Sequence, residues 1–287
     1  MKIGIGLPNA IAGTTRQQLI DWSRAAEEAG FNTLGTIDRL VFDSYESIAA
    51  LSAAAAVTER IRLATDVMLG PLRQNPAMIA KQVLSLDALA GGGRAVLGIA
   101  LGGREDDYEI SAIDMSTRGD WIDGALPKIR AIWNGDGDLE SKVGPRPQGD
   151  GPTLLVGGYV GKSFERAARF GDGWTQGGAG PDQFKEDAAR LEEAWKNEGR
   201  DGAPYKMALT YFSLGPDAQK NAEEGLGDYY AWLGETAERI VASAAKDADT
   251  VKQYISAFEA NGCDELVLFP ASSDPEQVAL LAEAAGL

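Results

Sequence analysis

Short apolar runs alternate with stretches of helical periodicity along the whole chain, and the alternation repeats eight times. Residues 2–7 (KIGIGL) predict a first strand ending at Pro8–Asn9. Leu19, Trp22, Ala25, Ala26 and Ala29 then mark a helix face that Gly30 ends. Further strands are predicted at 33–38, 61–69, 95–102, 153–156, 174–176, 206–214 and 265–270. Helices are predicted at 45–57, with Ser44 as its cap, and at 77–89, 162–170, 182–197 and 275–285. Trp121, Ile122, Ala125, Leu126, Ile129, Ile132 and Trp133 recur at helical spacing, with Pro127 hinting at a kink. Residues 103–119 read as a long loop and 135–152 as a Gly-, Pro- and Asp-rich surface connection. The stretch 217–261 holds more helix than one crossover needs, with Tyr229, Tyr230 and Trp232 close together.

Strands that alternate with helices predict a parallel sheet wrapped by helices. Eight such units in 287 residues favour an α/β fold of the closed (β/α)8 TIM-barrel type over an open doubly wound sheet. The reading is a single domain over 1–287 with an extra helical segment between strands 7 and 8.

Composition narrows the chemistry. A formal charge of −16 argues against nucleic acid and against anionic membranes, and no apolar run approaches the roughly 18 residues of a span. No signal peptide opens the chain, and one cysteine, Cys263, fits a reducing cytoplasm. Cys263 precedes the eighth strand, at the stability end of a barrel, and gets no catalytic role. The chain has no histidine, which removes Ser–His–Asp triads, Cys–His pairs and His-ligated zinc. No metal site is expected; carboxylates, Arg, Lys, Tyr or a cofactor must carry any reaction.

The stretch 153–175 (TLLVGGYVGKSFERAARFGDGWT) reads as a buried strand, a glycine turn and a helix start. Glycines 157, 158 and 161 let backbone N–H groups approach a ligand, and the helix start adds unpaired donors and partial positive charge. Such a junction suits a phosphate. Candidate donors are Ser163 and the amides of Gly157, Gly158, Tyr159, Val160, Gly161 and Lys162; a purely structural turn is the alternative. Lys162 is a phosphate partner or a solvated helix residue. A nucleotide P-loop fails by one position, because Val156 stands where its first glycine belongs.

The ordered series KIGIGLP, AEEAGFNTLGTIDR, VTERIRLATDVMLGPLRQNP, SLDALAGGGRAVLGIALGG, TRGDWIDGALPKIRAIW, GPRPQGDGPTLLVGG and RAARFGDGW resembles the bacterial luciferase-like oxidoreductases. It covers most of the chain up to about residue 175. The resemblance implies a barrel that binds FMN, or the deazaflavin F420, through the turn described above. It implies oxidation of a small organic substrate with reduced FMN, supplied by a flavin reductase, and oxygen. The alternatives are F420-dependent hydride transfer and a non-catalytic metabolite-binding or partner barrel. A homodimer is also expected. Family members often carry Asp-His after the second strand; this chain has Asp38–Arg39, so a role for that histidine does not transfer.

Further candidates lie at predicted strand ends. Asp66 interrupts an apolar strand, and a buried carboxylate is costly unless bonded. The resemblance places at Asp66–Val67 a bulge with a non-prolyl cis peptide that supports the flavin ring; a rim carboxylate bonded to backbone is the alternative. Asp38 is a candidate proton acceptor or substrate anchor, or the partner of Arg39 or Arg73. Gly102 and Arg104 follow the fourth strand, where Arg104 meets a cofactor phosphate or pairs with Glu105 or Asp106. Arg118 reads as a structural ion-pair partner. Trp174, Tyr159 and Tyr211 wall a flavin ring or simply pack the rim. A glycosidase using Asp38 and Asp66 ranks low, since neither lies in a glycosidase motif.

Overall fold

The computed structural model describes residues 1–287. Eight parallel strands close into a barrel in sequence order: β1 (Lys2–Gly6), β2 (Thr33–Thr36), β3 (Arg62–Leu69), β4 (Ala95–Ala100), β5 (Thr153–Gly157), β6 (Gly173–Gln176), β7 (Tyr205–Phe212) and β8 (Glu265–Pro270). The last seam pairs Ile3 with Leu266 and Ile5 with Leu268. The helices outside are α1 (Arg16–Glu28), α2 (Ser47–Ala55), α3 (Pro76–Leu89), α4 (Glu105–Ile110), α5 (Arg118–Asn134), α6 (Gly161–Phe170) and α7 (Pro181–Asn197). After β7 come α8 (Ala218–Tyr230), α9 (Glu235–Ser243) and α10 (Ala248–Ala260), and α11 (Glu276–Ala285) closes the chain. None is long and apolar enough to cross a membrane.

Three details differ from the sequence reading. The predicted loop at 103–119 holds the short helix α4, whose first turn is acidic (Glu105, Asp106, Asp107) and so suits the positive end of a helix. The cap of α2 is Glu46, whose carboxylate accepts from the Ala49 amide, rather than Ser44. Helix α5 runs unbroken through Pro127.

Strand side chains alternate between two cores. Ile5, Leu34, Leu63, Leu97, Leu154 and Leu266 pack outward against the helices, around Trp22, Leu51 and Ile129. Ala64, Val96, Leu155, Met207, Val267 and Phe269 fill the interior. The Phe269 ring occupies space that side chains at Gly6 and Gly35 would need. Glu265 plugs the lower end, fully buried, accepting from Asn32 Nδ2 at 2.7 Å and from the Tyr205 hydroxyl at 2.7 Å. Cys263 is buried there too, beside the Lys206 and Glu265 carbonyls.

One irregularity sets the upper end. From Thr65 to Met68 strand β3 spends one residue more than β4 does from Leu97 to Ile99. The extra residue is accommodated opposite Gly98, where any Cβ would overlap the Thr65 carbonyl, while Thr65 Oγ1 donates to the Gly98 carbonyl at 2.8 Å. Gly98→Ala is therefore expected to cost on the order of 3 kcal/mol in urea unfolding. Gly124→Ala, on an open helix face, should instead stabilise by up to about 1 kcal/mol. Equal effects at the two sites would refute this account of the bulge.

Candidate active site

The bulge turns two consecutive side chains, Asp66 and Val67, toward one cavity of about 480 Å³ at the C-terminal mouth of the barrel. The peptide between them is cis. This is the end at which barrels of this fold carry their chemistry. Gly102 and Arg104 after β4, Tyr159 after β5 and Gly177 after β6 line one side. Leu209 and Tyr211 on β7, with Tyr230 and Trp232 from the helical segment after it, line the other.

Asp66 is buried, and its Oδ1 accepts from Thr175 Oγ1 at 2.7 Å while Oδ2 has no partner. Burial raises its pKa, the Thr175 bond opposes this, and the Glu265 charge below adds to it, leaving the group pushed up to about 7. The bulge and the cis Asp66–Val67 peptide lie where the resemblance placed them, whereas the alternative of a carboxylate bonded to backbone does not hold: its bond goes to a side chain on β6, and no backbone amide reaches it. Its pKa is thus raised toward neutrality, with an unpartnered, buried oxygen on a residue of the cavity wall.

Asp38 lines the same cavity, but both its oxygens are committed. Arg73 Nη2 donates to them at 2.8 and 2.9 Å, and the Leu69 amide donates to Oδ2 at 2.9 Å. Burial raises its pKa, and Arg73 and the Leu69 bond oppose the rise. The expected freedom of Asp38 to accept a proton is corrected: it ties the end of β3, after the bulge, to the end of β2. Its partner is Arg73, not Arg39. Arg39 donates to the carbonyls of Tyr229 at 2.8 Å and Val41 at 2.7 Å, between the rings of Phe42 and Tyr229. Arg118 finds no acid and donates to the Met115 carbonyl.

Arg104 lines the cavity but is paired with Asp106 and lies over the Trp232 ring, so it is not the free phosphate contact that was one expectation. The glycine turn supplies donors instead. The amides of Tyr159, Val160, Gly161 and Lys162 have no partner within the chain, and they lead into α6. Gly158 has φ +137, and a side chain there would strike the buried Ser163 hydroxyl. The Lys162 side chain points away, into an outer groove with Glu165 and Arg169. Gly157 leaves room beside Val67, whose Cγ1 would lie 3.0 Å from an added Cβ. Trp174 is a second correction. Its ring is fully buried outside the barrel against Phe164 and Phe184, and its indole donates to the Gly158 carbonyl at 2.8 Å. It steadies the turn and cannot wall the cavity. Thr175, its inward neighbour, was missed although strand alternation points to it once the phase of β6 is known.

The Asp66 carboxyl carries a pH signature. An unfolded carboxyl ionises near 3.8 and the folded one near 7, so between those values the unfolded chain gives up a proton that the folded chain keeps. This contribution to stability is full below pH about 4 and is lost as pH rises through about 7. Asp66→Asn keeps the acceptor for Thr175 and does not titrate. Its stability relative to the native chain is expected to rise between pH 4 and 8, by up to roughly 4 kcal/mol. Urea unfolding at both pH values checks this; a difference independent of pH would refute the protonated state.

The sequence profile of the luciferase-like monooxygenase family matches residues 1–285. An uncharacterised protein of Mycobacterium tuberculosis is 32% identical over 216 residues, covering 72% of this chain and 72% of its own. An F420-dependent glucose-6-phosphate dehydrogenase of Kineococcus radiotolerans is 28% identical over 245 residues, covering 77% and 71%. Among solved structures, an F420-dependent secondary alcohol dehydrogenase in complex with an F420–acetone adduct superposes with a TM-score of 0.82 at 19% identity, covering 99% of this chain and 97% of that one. A monooxygenase from Streptomyces bottropensis gives 0.78 at 21% identity, covering 99% and 98%. Those structural likenesses establish the fold. With the profile spanning nearly the whole sequence, this chain belongs to the luciferase-like monooxygenase family.

Proposed function

We propose that this chain is an oxidoreductase that binds the deazaflavin F420 and moves a hydride between it and a small organic substrate. The observation that carries the reading is a wide cavity, backed by Val67, beside a turn that offers four consecutive unpaired amides. The residues present fit a phosphorylated ring. Glycines at 102 and 157 keep space open beside Leu69 and Val67, and the buried Oδ2 of Asp66 lacks a partner. Relatives named as F420-dependent in both sequence and structure support the deazaflavin over FMN.

When bound, the deazaflavin supplies a ring that accepts or donates a hydride. The amides of residues 159–162 hold its phosphate, and Val67 backs the ring. Asp66 holds or releases a proton at Oδ2, and Asp38 fixes the strand end through Arg73 and Leu69. A second reading, substrate oxidation with reduced FMN and oxygen, is favoured by the likeness to the Streptomyces monooxygenase.

Fluorescence titration of the purified protein with F420 and with FMN separates the two. F420 is expected to bind and FMN to bind weakly or not at all; FMN binding alone would overturn the proposal in favour of the second reading. Gly161→Asp tests the seat. Its Cβ meets open space and a carboxylate suits a helix start, so the fold should hold, whereas negative charge among the four amides should weaken F420 binding at least about tenfold. Unchanged affinity would show that the phosphate sits elsewhere.

A further inference from the structure

The half of the cavity opposite Val67 has a chemistry of its own. The hydroxyls of Tyr211 on β7 and Tyr230 at the end of α8 are hydrogen-bonded to each other and to nothing else in the chain. Their rings meet edge to face at 5.8 Å, and the Tyr229 ring braces Tyr230 at 4.8 Å. Each tyrosine hydroxyl owns one proton and two lone pairs. One bond between them uses one proton, so the pair retains one unspent O–H donor. Tyr211 is the more deeply buried, and its only partner is Tyr230. Either hydroxyl can donate in that bond, and Tyr230, the less buried of the two, is the better placed to direct the unspent O–H to whatever fills the cavity. Burial raises both pKa values, so both groups stay neutral.

Around this donor the walls are apolar: Ile37, Leu209, Trp232, Leu233 and Ile240. Most of the hydrogen-bonding capacity of the charged groups nearest it is committed, although Arg39 and Arg104 each keep an unpartnered, buried Nε. Arg39 is bonded to two carbonyls between two rings, Arg104 is paired with Asp106, and Asp38 is paired with Arg73. An anionic group entering here would face the Asp38 and Asp66 carboxyls of the same cavity, in a chain of net charge −16. A neutral ligand would meet no such repulsion.

We propose that this half of the cavity is the substrate seat and that it selects a neutral, largely apolar molecule bearing one hydroxyl or carbonyl oxygen, held by the Tyr211–Tyr230 pair. The proposal rests on the hydride-transfer reading for what happens next to that molecule, but not for its binding. Tyr230 touches the substrate oxygen; Tyr211 is a positioning residue behind it. A sugar phosphate is excluded, in contrast to the substrate that the Kineococcus relative's name states.

Saturation-transfer NMR with cyclohexanone, methylenecyclohexane and glucose 6-phosphate, each with and without F420, tests this. Cyclohexanone is expected to bind the native protein and glucose 6-phosphate is not. Tyr230→Phe should weaken cyclohexanone about fivefold and Tyr211→Phe by less, while methylenecyclohexane, of the same shape but without the oxygen, should bind all three proteins alike. Binding of glucose 6-phosphate in preference to cyclohexanone would overturn the proposal. So would an equal effect of Tyr230→Phe on both ring compounds, or no cyclohexanone binding at all. F420 titration of the same variants reads the hydride-transfer proposal separately. F420 binding without discrimination by Tyr230 would sink only the substrate assignment, and discrimination without F420 binding would sink only the cofactor assignment.

Discussion

The mouth of this barrel depends on a close approach between two backbones. Strand β3 carries one residue too many for its partner, and the excess fits only because Gly98 on β4 presents no side chain to the Thr65 carbonyl. A regular strand would have sent Asp66 inward and Val67 outward. The bulge brings both to the same cavity and moves the strand end to where the Asp38 carboxylate catches the Leu69 amide. Arg73 then completes the clasp between β2 and the turn after β3. Thus one missing side chain determines where an ionisable group, an apolar wall and a fixed rim come to lie.

The clasp and the carboxyl divide the acidic work between them. Asp38, with a guanidinium and an amide, spends its lone pairs on architecture. Asp66, with one hydroxyl for company and the Glu265 charge further down the barrel, keeps an oxygen free and a proton within reach at neutral pH. Two carboxyls facing one cavity are thus separated by their partners rather than by their type. The arginines at the mouth are likewise paired or bonded through their terminal nitrogens, and the donors without any partner in the glycine turn are backbone amides. A run of N–H groups at a helix start attracts phosphate without placing a mobile positive charge in the cavity. That suits a protein whose overall field repels anions.

The barrel was legible because each β/α unit carries a length and a period of its own. The eight strands, the helices between them and the surplus helix before β8 all lie close to the positions their apolar patterns imply. Phase within a strand was harder to read. A barrel strand is apolar on both faces, so the run around Trp174 does not say which neighbour points inward, and the large aromatic proved to face the helices while Thr175 faces the axis. Ion-pair partners were legible only as sets. Asp38 had two candidate arginines, and the one adjacent in sequence, Arg39, went to carbonyl groups instead. Gly98 gave no sign of its role, since the excess residue that needs it lies on the neighbouring strand. The residues of the helical segment that line the cavity were beyond reach, because nothing local to 217–243 states that it folds back over the mouth.

Arg39 links these observations. Arg39 cannot act as a neutral imidazole would, yet it does not stand idle. Its guanidinium lies between Phe42 and Tyr229 and donates to the Tyr229 carbonyl, at the end of α8. That bond attaches the helical segment to the rim of β2, and the next residue along is Tyr230. A planar cation with several donors can brace a backbone carbonyl and two rings at once, which an imidazole cannot. In this chain Arg39 is therefore an anchor for the opposite wall. Among the carboxyls that line the cavity, Asp66 is the one left with an unpartnered oxygen.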